Sequence, residues 1–130
     1  LGLLLGLSAL AQSCAGEPAE EERSFARDVA PMLERHCTGR CHVPEDSDSG
    51  FLPLGQQEAY EQLVSVPSQQ APVLLRVDPG NLEGSYLWHK LKGTHLEVGG
   101  EGEQMPYAAE PLAAGELDVL AAWIRQGAPP

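Results

Sequence analysis

Cys37, Cys41 and His42 are the residues of this chain whose types and spacing most readily do chemistry. In the run His36-Cys37-Thr38-Gly39-Arg40-Cys41-His42, two soft nucleophiles stand beside an imidazole. Two thiols so placed can add across the vinyl groups of a porphyrin, and the adjacent histidine is then held against the iron as an axial ligand. The attachment motif for haem c is ordinarily C-x-x-C-H. Here it reads C-x-x-x-C-H, and Gly39 lets the extra residue bulge without steric conflict. The same atoms permit two other chemistries. Cys37 and Cys41 can close a disulfide, or stay as thiols, in a lipoprotein with no cofactor. His36, Cys37, Cys41 and His42 also offer four zinc ligands, although ligands this close in sequence make a poor tetrahedron.

Iron bound by His42 needs a ligand on its other face. Met105-Pro106 follows a glycine-rich stretch, and a thioether is a soft ligand that raises the reduction potential relative to a second histidine. Taken alone, a methionine is core filler. The upstream cluster is what promotes it. His95, just before the glycines, is the rival distal ligand. His36 is expected at a helix C-terminus, where an imidazole meets the negative end of the dipole. His89 is expected to be exposed or satisfied by backbone. Arg76, Trp88 and Lys90 are candidate donors to the porphyrin carboxylates. Glu45, Asp46 and Asp48 lack the ligand spacing of a calcium loop and read as a solvated acidic loop. No nucleophile–base pair or phosphate loop stands out, so the expectation is a carrier and not an enzyme.

The elements that must position these residues are helical. Phe25, Val29, Met32, Leu33 and His36 recur at helical spacing, which predicts a first helix over about 28–37, capped by Asp28, with Pro31 in its first turn. A short second helix is expected over about 56–64. A third is expected from Asn81 to Leu91, ended by Gly93, and a fourth over about 114–126, with Leu117, Leu120, Ala121 and Ile124 inward and Gly127 at its C-cap. The strongest strand pattern is Val73 to Val77. The expected fold class is therefore all-α, a small helical domain over 24–130 wrapped round one haem.

Ahead of it, residues 1–13 (LGLLLGLSALAQS) carry no charge and suit the apolar region of an export signal, being too short for a membrane span of about 20 residues. Ala9-Leu10-Ala11 offers an ordinary small-x-small cleavage site, and Ala11-Gln12-Ser13-Cys14 resembles a lipobox, which makes Cys14 the expected lipidation site with simple secretion as the alternative. The acidic run 14–23 reads as a flexible tether. The protein is thus expected in the periplasm or cell envelope, touching membrane only through a lipid anchor.

With 8 Lys and Arg against 19 Asp and Glu, the formal charge is −11. That argues against nucleic acid as a partner, since phosphates need clustered cations. It favours solubility, or docking to a basic patch on a redox partner. Two Phe, two Trp and three Tyr are few for a core, and a buried haem would add apolar mass.

The segment Ser24-Phe25-Ala26-Arg27-Asp28-Val29-Ala30-Pro31-Met32-Leu33, with the cysteines and His42, resembles the opening of small bacterial single-haem cytochrome c domains. Arg76-Val77-Asp78-Pro79-Gly80, Ser85 to Leu91, Gln104-Met105-Pro106 and the closing Leu120 to Ala128 resemble the rest in order, so that the similarity covers about 24–128. The resemblance implies electron transfer by covalent haem c held by Cys37 and Cys41, with His42 as proximal and Met105 as distal iron ligand. It also implies first and last helices packed across each other, with Phe25 and Val29 near Leu120 and Trp123. A haem-based sensor or ligand-binding module is the other use of such a domain.

Overall fold

The computed structural model describes residues 20–39, 41–43, 52–55 and 58–130. The leader, Cys14, Arg40 and the acidic loop at Glu45, Asp46 and Asp48 lie outside the described residues. Among those described, the regular structure is helical and no strand forms.

The first rod, here α1, joins a π-helical turn at Phe25–Val29, a regular turn at Ala30–Leu33 and a second π-helical stretch at Glu34–Thr38. It begins three residues before the predicted start. Ser24, not Asp28, is the cap, its Oγ accepting from Arg27 N at 3.3 Å while Asp28 Oδ2 accepts from Ser24 N at 2.8 Å. This is a capping box stretched by one residue. The wide first turn, in which Ala30 N–H reaches back to Phe25 O, moves the returning carboxylate one position along. Pro31, lacking an N–H and crowding the carbonyl four residues back, is accommodated just after that wide turn.

The second helix, α2, is Ala59–Leu63. The predicted start at Gln56 lies outside the described residues. From Val64 to Ser85 the chain runs irregularly, pinned by isolated bridges that pair Val64 with Val77, Pro67 with Leu75 and Leu75 with Ser85. The Val73–Val77 pattern therefore yields single bridges, with Val73 itself exposed.

The third helix, α3, spans Tyr86–Lys92 and starts later than predicted. Asn81 caps a turn and not the helix: its N–H donates to Asp78 O at 2.9 Å and its Oδ1 accepts from Gly84 N at 3.0 Å. A Cβ on Gly84 would lie 2.4 Å from Asn81 Nδ2, so the turn needs that glycine. Gly93 ends α3 in the left-handed region (φ 78°), as its position predicts. The last helix, α4, spans Ala114–Arg125, with Gly127 at φ 96° beyond it.

Helix α4 grips α1 at both ends. Phe25 packs on Trp123 with ring centroids 5.6 Å apart and meets Tyr60 edge-on at 5.3 Å. The closing residues are stapled over this contact: Pro129 O accepts from Phe25 N at 2.9 Å and from Trp123 Nε1 at 2.8 Å, and Ala128 O accepts from Tyr60 OH at 3.0 Å. At the other end Glu116 holds Arg35 at 3.0 Å and His36 at 2.9 Å. Glu21 O and Arg23 N, assigned from sequence to the tether, bond Gln126 at 3.0 and 2.8 Å. No helix among the described residues is long and apolar enough to cross a membrane.

Candidate functional site

Helix α1 delivers Cys37 from its last turn into the interior, where the residue is 9% exposed. His42 N–H donates to Cys37 O at 3.0 Å, a bond reaching five residues back. A bond of that span is of π type, one residue wider than the α-type bond that a C-x-x-C-H spacing would allow between the first cysteine and the histidine.

The His42 ring is set by the segment after the motif. Its Nδ1 lies 2.9 Å from Leu52 O, and His42 O accepts from Leu54 N at 3.1 Å. A carbonyl only accepts, so Nδ1 carries the proton and Nε2 is the nitrogen that can ligate a metal.

His42, Cys37 and Met105 line one cavity of about 290 Å³. Its walls are Leu52, Leu54, Leu63, Leu87 and Leu91, and its polar lining includes Gln70, Arg76, Tyr86 and Lys90. The size sits at the low end of small-molecule pockets, about 300–1,000 Å³. Met105 is half-buried against the core, and its N–H donates to Lys90 O at 3.0 Å.

Cys41 is exposed and is not among the lining residues, although its charge acts on Cys37. Burial, and secondarily Cys41, pushes the Cys37 thiol up to about 11. Both cysteines are free thiols.

The remaining histidines are engaged elsewhere. His36 turns to Glu116, away from the four-ligand zinc arrangement, and among the described residues no three His, Cys, Asp or Glu side chains converge. His89 is buried, with Nδ1 on Thr94 Oγ1 at 2.8 Å and Nε2 on Glu83 O at 2.9 Å. His95, the rival distal ligand, is not on the cavity, and its Nε2 donates to Gly102 O at 2.8 Å.

Of the expected carboxylate donors, Arg76 lines the cavity while its Nη1 donates to Gln62 O at 2.8 Å, and burial lowers its guanidinium from the ordinary value. Lys90 lines it too, with burial lowering its ammonium and Glu103 and Glu101 opposing. Trp88 packs against the core under Lys92. The orienting partner of His42 escapes sequence reading because it is a backbone oxygen and no residue type marks it.

Cys37, His42 and Met105 match the donor set that the motif implies, while Cys41 lies outside the lining. The cavity offers one histidine with a free choice of metal at Nε2, one thioether, a buried thiol, apolar walls and two cations without an ion pair among the described residues. Compared with family models, with curated proteins and with solved structures, the chain shows no match in any of the three.

Proposed function

We propose that this protein is an exported, lipid-anchored cytochrome c domain that carries single electrons. The observation that carries the reading is that Cys37, His42 and Met105, 63 residues apart at the extremes of the pair His42 and Met105, meet on one apolar cavity. Haem c would supply a one-electron iron couple there, with Cys37 and Cys41 to attach it and His42 and Met105 to hold the iron.

The chain's own residues do the rest. Leu52 O fixes the His42 tautomer, and the leucine walls give the group an apolar bed. Arg76 stands ready for a propionate, because a half-buried guanidinium gains from an anion. A soft thioether from Met105 would favour ferrous iron and so a couple of the higher-potential kind. The net charge of −11 suits a redox partner with a basic docking patch. Anchoring through Cys14 would keep the carrier at the envelope surface.

The absorption spectrum of protein made in a host with haem c machinery tests this against its rivals. A six-coordinate low-spin spectrum that persists on reduction is expected. A five-coordinate spectrum would favour the sensor or ligand-binding module, and a colourless protein would favour the disulfide-stapled lipoprotein.

A further inference from the structure

The segment that carries Met105 has no regular structure and contains Gly99, Gly100 and Gly102, yet it is tied down at several points, Gly100 N donating to His95 O at 2.9 Å among them. Lys90 Nζ donates to Glu101 O at 2.7 Å, and His95 Nε2 donates to Gly102 O at 2.8 Å. Gln104 Nε2 donates to Leu91 O at 3.0 Å, and Met105 N donates to Lys90 O at 3.0 Å. Lys90 and His95 are buried, 9% and 3% exposed. Burying a cation and an imidazole to hold two consecutive peptide oxygens is unfavourable unless the bonds are made well. His95 Nδ1 is buried with no hydrogen-bond partner among the described residues, which leaves Nε2 on Gly102 O as the ring's one bond there.

The glycines belong to the same device. A Cβ on Gly100 would lie 2.4 Å from Tyr86 Oη and 2.7 Å from His95 O. At Gly102, where φ is +74°, a Cβ would meet Gln70 Nε2 at 3.3 Å and Lys90 Nζ at 3.4 Å. Gly100 is where the backbone presses on the residues that hold it, while Gly99, with open space around it, serves the left-handed turn at φ 79°.

We propose that Lys90 and His95 are positioning residues that clamp Glu101 and Gly102 and so keep the Met105 thioether in the cavity. The role rests on the reading of Met105 as distal ligand. A thioether–iron bond is weak, and a loop with this many glycines would otherwise swing the sulfur away. Lys90 acts at two points, through Nζ on Glu101 and through its carbonyl on Met105. His95 thereby has a role through the loop and not at the metal.

The test uses the haem-loaded protein as Lys90→Met, His95→Phe and His95→Gln, the last keeping an N–H that can reach Gly102. Three readouts are taken: amide exchange over residues 100–105, affinity of the ferric protein for added imidazole, and the near-infrared thioether-to-iron band. Lys90→Met and His95→Phe should each speed loop exchange and tighten imidazole binding by about tenfold, the scale of one lost buried hydrogen bond. Exchange in α1 and α4 should stay unchanged, and His95→Gln should recover much of the effect. Unchanged loop exchange overturns the clamp. Faster exchange with unchanged imidazole affinity overturns its action on Met105. If the unmutated protein lacks the near-infrared band while loop exchange still responds, the ligand assignment has failed, and the positioning role falls with it.

Discussion

His42 Nδ1 lies 2.9 Å from the carbonyl oxygen of Leu52, which makes Nδ1 the protonated nitrogen and turns Nε2 to the cavity chemistry. Backbone carbonyls commonly hold metal-ligating histidines in this way, fixing ring orientation and raising basicity. In the reduced haem-loaded protein, a His42 Nδ1–H resonance should persist in water. It should exchange at least about tenfold more slowly than the N–H of free imidazole, as expected of a made hydrogen bond. A protonated Nε2 would contradict the arrangement.

Asp28 sets an acid limit on stability. The Ser24 N–H holds its carboxyl below the usual carboxylate range, with Arg27 and Arg23 adding to the effect against burial. The folded value is below the unfolded one, so this stabilisation is complete above the unfolded value and is lost as pH falls through the folded one. Asp28→Asn should cost about 1 kcal/mol at neutral pH, the usual scale of one hydrogen bond, here the one Asp28 accepts from Ser24 N–H. Denaturant titrations of the two proteins should converge once the pH is below the folded value of Asp28. A difference that persists in acid would mean that shape, not charge, is responsible.

Trp123 is fully buried, touching Phe25 and donating to Pro129 O at 2.8 Å. Trp123→Ala should cost about 3–5 kcal/mol, a large share of the stability of a small domain. Trp123→Phe keeps most of the ring contact and should cost about 1–2 kcal/mol for the lost indole bond. Equilibrium denaturation of the haem-loaded protein measures both. Equal losses would show that the ring contact with Phe25 contributes little.

Much of α4 was legible because Leu120, Ala121 and Ile124 are spaced for one face and Gly127 follows the last turn. The start of α1 was not, because a π-turn shifts the reply of Asp28 to Ser24 by one residue from the spacing a reader looks for. The start of α3 was misplaced because Asn81 is as good a turn-former as a helix cap, and Gly84 and Ser85 complete its turn. At the site, residue types were enough to select Cys37, His42 and Met105 as a group. They gave no sign of the parts played by Leu52 O, Glu101 O and Gly102 O, since peptide oxygens look alike in every sequence.

Met105→Ala should remove the near-infrared band of the oxidised protein and lower the reduction potential, because a soft ligand that favours ferrous iron is lost. Folding should largely survive, since Met105 lies at the edge of the core and the Phe25–Trp123 contact is untouched. Potentiometric titration with optical detection reads both effects. An unchanged potential would remove Met105 from the iron.

The most direct measurement is mass spectrometry of the denatured, digested protein from a host whose haem c machinery loads other cytochromes. The account predicts that the peptide spanning Cys37 to His42 carries one haem, with Cys37 and Cys41 both blocked to thiol reagents. That peptide at its unmodified mass, or with Cys37 joined to Cys41 and no haem retained, would contradict the account.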